Sequence, residues 1–267
     1  MAPPREVTRV ANTVEGHPAL KIGGRVGYAV SGVLHLLIGW IAMQIAWFGS
    51  GKSADESGAL QTLAGNTLGR LTLWLAVVGF LALGLLELAK GITAQAAPGS
   101  SAWTARAKGI SKSVLHFALA WASLSTVRGG RHSNKAQSAD FTAKLLEQTG
   151  GRLLVTLVGL VVIGVGGYHV FKGWTKKFLQ DLSEHPGTLA IRSGVVGYIA
   201  KGVALAVVGL LFVTAAAQNS ASKATGLDGG LRALLQQPLG PWLLTAVALG
   251  IAAYGIYSFA RARYARV

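Results

Sequence analysis

The chain has 267 residues, 51% of them hydrophobic and only 13% charged, with a net charge of +15 and a mean hydropathy of +0.47. Soluble domains carry roughly twice that charged fraction, so the composition excludes an ordinary water-soluble domain. Cysteine is absent, which excludes disulfides, thiolate metal sites and cysteine nucleophiles. The cations sit at the ends of apolar segments rather than in one patch. They therefore read as topology signals attracted to anionic lipid headgroups, and not as a nucleic-acid surface.

Residues 1–24 hold Arg5, Arg9, Lys21, Glu6 and Glu15 and no apolar run. They lack the early apolar region of a secretory signal and are expected to form a mobile polar tail. Six apolar runs follow: Val26–Phe48, Leu71–Ala89, Ile110–Val127, Leu153–Phe171, Val195–Ala217 and Trp242–Ala260. Each approaches the ~20 residues that carry a helix across ~30 Å of hydrocarbon. Lipid cannot satisfy a bare backbone, so all six are expected to be helices. Tryptophans such as Trp40, Trp47, Trp74 and Trp242 lie near segment ends, where interfacial anchors belong.

The runs group into three units of two, over 25–91, 104–173 and 192–262. Within them Ser31, Lys112 and Lys201 align, as do Gly32, Ser113 and Gly202, then His35, His116 and Leu205, then Gly39, Ala120 and Gly209. In the second helix of each unit the aligned sets are Gly84, Gly166 and Gly255; Glu87, His169 and Ser258; and Lys90, Lys172 and Arg261. Small residues seven apart keep to one stripe, and in lipid such stripes let backbones approach. They are expected to be helix–helix seams. The fold implied is all-α: a polytopic membrane protein with six transmembrane helices, arranged as three parallel two-helix repeats with pseudo-threefold symmetry.

The connections inside the units also repeat. Ala59–Leu63 precedes Leu68-Gly69-Arg70, Ala143–Gln148 precedes Gly151-Arg152, and Leu231–Gln237 precedes Pro238-Leu239-Gly240. Leucines at i, i+3 and i+4 predict short amphipathic helices lying on the outer surface. Fifteen lysines and arginines fall on the side of the termini and nine on the other, with Lys201 inside a run. The positive-inside rule then places both termini in the cytoplasm.

The stretch Gln237-Pro238-Leu239-Gly240 with Leu243–Gly250, and the Gly27-Tyr28 and Gly197-Tyr198 pairs opening the first and fifth runs, resemble a bacterial membrane family known as domain of unknown function 1206. The resemblance covers about residues 24–262. It implies three tandem two-helix units in a bacterial cytoplasmic membrane, and it carries over no catalytic residues. The middle unit departs most, with Lys108-Gly109 in place of the Gly-Tyr pair and Thr149-Gly150-Gly151 in place of the Gln-Pro motif.

Ionisable residues inside the runs are few: His35, Glu87, Lys112, His116, His169 and Lys201 form a candidate polar layer near the cytoplasmic ends. Antiparallel packing within a unit is expected to bring His35 to Glu87 and His116 to His169. One reading is structural: lysines snorkel to headgroups, Glu87 pairs with Lys90 or His35, and the histidines bond between helices. The chain is then a non-enzymatic interaction or scaffold subunit whose partners are lipid and other membrane proteins. The second reading is a cytoplasm-facing pathway for a small solute, ion or proton, since intramembrane ionisable groups mark such paths. The third makes His116 and His169 haem or metal ligands. No nucleophile–base pair, cofactor motif or zinc-ligand set presents itself.

Overall fold

The computed structural model describes residues 5–94 and 101–266. Ten α-helices are formed among them: α1 (Arg5–Gly16), α2 (Pro18–Phe48), α3 (Glu56–Ala64), α4 (Thr67–Thr93), α5 (Ala102–Val127), α6 (Asn134–Leu146), α7 (Gly151–Trp174), α8 (Thr188–Ala217), α9 (Gly226–Leu235) and α10 (Gly240–Tyr264). Every expected apolar run lies inside a long helix. The helices overrun the runs because their polar end turns still satisfy backbone groups. Asn66, Ser101 and Ser133 cap α4, α5 and α6 by accepting from the N–H groups of Gly69, Thr104 and Ala136.

Five helices (α2, α4, α7, α8 and α10) are long and apolar enough to cross a membrane. α5 has the length, but its run is interrupted by Ser111, Lys112, Ser113, His116 and Ser123. Two of its hydroxyls fold back within the helix, Ser123 onto the Leu119 carbonyl at 2.7 Å and Thr126 onto that of Ala122 at 2.8 Å. Such back-bonding satisfies the hydroxyl without a partner helix.

The tail differs from expectation. α1 is a regular helix and α2 begins at Pro18, well before the first apolar run. Val7, Val10, Ala11 and Val14 share one face at helical spacing, a pattern hidden from a hydropathy reading by the surrounding charges. α1 packs on α4, with Thr93 Oγ1 donating to Glu15 Oε1 at 2.7 Å.

The chain divides into two compact units. One comprises Met1–Ser31, Leu63–Arg131 and Arg261–Val267, the other Gly32–Thr62 and His132–Ala260. In the first unit, α4 meets α2 where a Cβ on Gly27 would lie 2.6 Å from the Gly79 carbonyl oxygen. It meets α5 where one on Gly109 would lie 2.5 Å from Gly91 Cα. In the second, Gly166 and Gly202 bring α7 against α8, and Gly32 and Gly255 bring α2 against α10. The small-residue stripes are therefore seams. The α2–α4 seam lies within one repeat; in the other three, the first helix of one repeat docks on the second helix of another. Dispersion gained at this backbone approach replaces the hydrophobic effect that lipid does not supply.

The repeated Gly69, Gly151 and Gly240 also gain a common explanation. A Cβ there would fall about 2 Å from the carbonyl oxygens of Leu63, Leu145 and Leu235 respectively, the last turns of α3, α6 and α9. Only glycine lets the chain fold back that tightly into the next long helix.

The three connection helices exist as expected, but they do not all lie on a surface. α6 buries only Thr142, whereas Ala54, Asp55, Ala59 and Leu60 at α3 are at most 1% exposed. Hydrogen bonds hold α3 inward: Ala54 N–H donates to Asp228 at 2.9 Å, and Gln61 donates to the His132 carbonyl at 2.7 Å.

Candidate functional site

Burying α3 delivers a carboxylate to the interior of the second unit. Asp55 caps the helix, its Oδ1 accepting from Ser57 Oγ at 2.6 Å and Gly58 N–H at 3.0 Å. Glu56 follows and lines a cavity of about 170 Å³ with His35, Ile38, Lys201, Ala204, Leu205, Val208, Leu227 and Ile251. Burial raises the carboxyl pKa of both Asp55 and Glu56. Nearby Lys201 partly offsets the rise at Glu56.

At the far end of the cavity, Lys201 Nζ lies 3.2 Å from His35 Nε2. An ammonium can only donate, so Nε2 accepts and the His35 ring is neutral with its proton on Nδ1. The same ammonium sits 4.5 Å from the centroid of the Tyr254 ring, a cation–π contact. Lys201 forms no ion pair among the described residues. Toward the α7–α8 connection the site is closed by aromatics. Phe178 stacks on Tyr198 at 5.2 Å, Tyr257 meets Phe178 edge-on at 5.0 Å, and Tyr254 meets Tyr198 edge-on at 5.2 Å.

Toward the connections of α3 and α9 the site is more open. A second, wider cavity of about 360 Å³ is lined by Asn134, Gln137, Ser138, Phe141, Phe212 and Gly226, together with Glu56 and Leu227. Glu56 and Leu227 thus line both spaces. Asn134 Nδ2 donates to Glu56 Oε2 at 3.4 Å and steadies it there.

The remaining candidates lie elsewhere. In the first unit Lys112 Nζ donates to both oxygens of Glu87 at 3.3 Å, and Glu87 is buried. His116 Nδ1 donates to the Lys112 carbonyl at 2.8 Å, its ring 6.2 Å from Phe80. In the second unit His169 Nδ1 donates to the Val165 carbonyl at 2.8 Å, its ring 5.8 Å from Tyr198. The expected within-repeat partners are therefore not the ones used. Glu87 takes Lys112 and His35 takes Lys201, each from a different repeat. Lys90 stays within electrostatic reach of Glu87, as expected, and gives its hydrogen bond to the Arg266 carbonyl at 2.7 Å. For the haem or metal reading of His116 and His169, no group of three His, Asp or Glu that could hold an ion occurs among the described residues.

No charge in an apolar run marks Glu56, Tyr254, Asn134 or Leu227 in the sequence. Glu56 sits in a connection where hydropathy carries no information. One signal was available: the adjacent acids Asp55 and Glu56 open the α3 segment in a chain with only 10 acidic residues.

Long apolar helices, glycine seams and a thrice-repeated hairpin turn define the class: a membrane protein built from tandem two-helix units. The chain belongs to the family described as Domain of Unknown Function (DUF1206), which matches residues 26–94, 107–176 and 196–265. It is similar to the uncharacterized protein YxxB of Bacillus subtilis (strain 168), 27% identical over 262 residues that cover 94% of this chain and 93% of that one. No solved structure matches it.

Proposed function

We propose that the chain is a non-enzymatic protein of a bacterial cytoplasmic membrane that admits a small solute, ion or proton to an intramembrane site. In this reading α5 is a sixth span and three parallel hairpins repeat about a pseudo-threefold axis, with both termini cytoplasmic. The observation that carries it is the pair of cavities sharing Glu56 and Leu227 and ending on Lys201 and His35. Ionisable groups inside lipid-spanning segments are costly, and an apolar core would pack the same seams without Lys201 and His35. Entry is from the side of α3 and α9, opposite the termini. With both termini cytoplasmic in this reading, the mouth faces outside the cell, whereas the sequence pattern leads one to expect a cytoplasm-facing polar layer.

The cysteine-free chain permits a direct test. Single cysteines at Glu56, Leu205 and the exposed control Lys52 are treated in intact cells with a membrane-impermeant thiol reagent. Modification of all three from outside is the expected result. Reaction of Lys52→Cys alone overturns the pathway.

The interaction-subunit reading draws on one observation of its own. α7 buries a single stripe of Gly151, Val155, Gly159, Gly166 and Gly173, and added Cβ atoms at Gly164 and Gly167 would meet nothing. Cross-linking through Gly164→Cys tests it: a crosslinked membrane-protein adduct supports a partner there, and its absence leaves that face to lipid.

A further inference from the structure

We infer that the inner cavity binds a small zwitterion with a short apolar body, of the α-amino-acid type, its carboxylate on Lys201 and its ammonium on Glu56. The inference rests on reading the cavity as a solute site and adds the chemistry of the solute.

Three features of the cavity carry it. The first is an ammonium with no carboxylate at ion-pair distance among the described residues: Lys201 gives one hydrogen bond to the His35 imidazole and lies over a phenol ring, while Glu56 acts on it only from across the cavity. A cation in that state within α8 has donor capacity left for an anion, and a carboxylate gains more there than in water because the surroundings are apolar. The second is Glu56, which takes a hydrogen bond from the neutral amide of Asn134 and forms no ion pair. Glu56 and Lys201 line one space without closing on each other, so a ligand bearing both charges satisfies both groups at once. The third is the remaining lining. Ile38, Ala204, Leu205, Val208, Leu227 and Ile251 offer no hydrogen-bonding side chain, so the ligand's body is aliphatic. An apolar cavity of about 150 Å³ accommodates benzene, and about 170 Å³ therefore suits a body of branched-chain size.

Each ligand charge has its own reporter. Removing the ligand's amine leaves the half-buried Glu56 without a cation, and removing its carboxylate leaves Lys201 as it is now. Either loss forfeits a charge-assisted hydrogen bond and strands a partly desolvated group.

The test measures binding of L-leucine, 4-methylpentanoate and 3-methylbutylamine to the full-length protein in lipid nanodiscs by titration calorimetry. L-Leucine is expected to bind at least tenfold more tightly than either single-charge analogue. Lys201→Gln is expected to abolish L-leucine binding and Lys201→Arg to restore part of it, which shows that the fold survives change at this position. Glu56→Gln is expected to bring L-leucine down to the affinity of 4-methylpentanoate while leaving the acid's own affinity unchanged. The zwitterion is overturned if the acid binds wild-type protein as tightly as L-leucine, or if Glu56→Gln leaves L-leucine binding intact. If no probe binds while cysteines at Glu56 and Leu205 are modified from outside, the ligand class fails and the solute pathway stands. If those cysteines are unreactive, both fail.

Discussion

Lys112 and Lys201 occupy the same position in two repeats, yet the protein treats them differently. Lys112 meets a buried carboxylate, Glu87, from the preceding repeat. Lys201 stands within electrostatic reach of His169, which aligns with Glu87, and it bonds to His35 and faces a cavity. One residue decides the difference. A carboxylate in the partner column closes an ion pair inside the protein, whereas an imidazole there leaves the lysine's charge for something else. The same repeated scaffold thus holds one site whose polarity is satisfied internally and one whose polarity faces a cavity.

The largest expected effect breaks this comparison at the satisfied site. Lys112→Ala strands Glu87 in the interior. A fully buried pair loses about 3–5 kcal/mol on such truncation. The Lys112 side chain is 38% exposed, so about 2 kcal/mol is expected in a detergent unfolding titration. Lys201→Ala removes only a hydrogen bond to a neutral ring and a cation–π contact, and its cost is about 1 kcal/mol or less. Equal losses at the two positions would erase the distinction.

The converse change transplants the partner. His169→Glu supplies Lys201 with the carboxylate that Lys112 already has, and L-leucine binding is expected to fall at least tenfold with no loss of stability. Unchanged binding would mean that position 169 does not set the state of Lys201. In the unaltered protein, binding should also weaken as pH falls. Glu56 must be ionised to hold the ligand's ammonium, and burial has moved its protonation upward from the ordinary carboxylate range.

A smaller effect concerns the entrance. Asp55 is fully buried, its Oδ2 has no hydrogen-bond partner, and its carboxyl is raised by burial. A carboxyl whose folded pKa is raised contributes most below its ordinary value of 3.8, and that contribution is lost as pH climbs through the raised value. Asp55→Asn keeps an acceptor for Ser57 and Gly58 without the buried charge. It is expected to gain about 1 kcal/mol at pH 7 and to match the parent near pH 4, read from thermal midpoints. Smallest of all, Glu15→Ala removes the hydrogen bond to Thr93 and should cost about 0.5 kcal/mol.

Much of this was legible in the residues. The six runs fall inside the six long helices, and the stripes through Gly32 and Gly39 and through Gly202 and Gly209 are seams. His35, Lys112, His116, Glu87, His169 and Lys201 were singled out because charge in an apolar run is rare and costly. Their partners are not legible, because antiparallel neighbours within a hairpin are the nearest candidates by sequence. The seams between repeats are as close as those within one, since glycine faces glycine or the backbone in both.

Periodicity and composition, which belong to the chain one residue at a time, determined that this is a repeated helical protein made for lipid, and they marked the costly side chains. Only tertiary packing decided which repeat answers which, that α1 is an ordered helix, and that α3 turns inward to set Glu56 in the same cavity as Lys201. Those outcomes depend on how closely backbones approach and on hydrogen bonds between residues more than a hundred positions apart, and no local pattern encodes either.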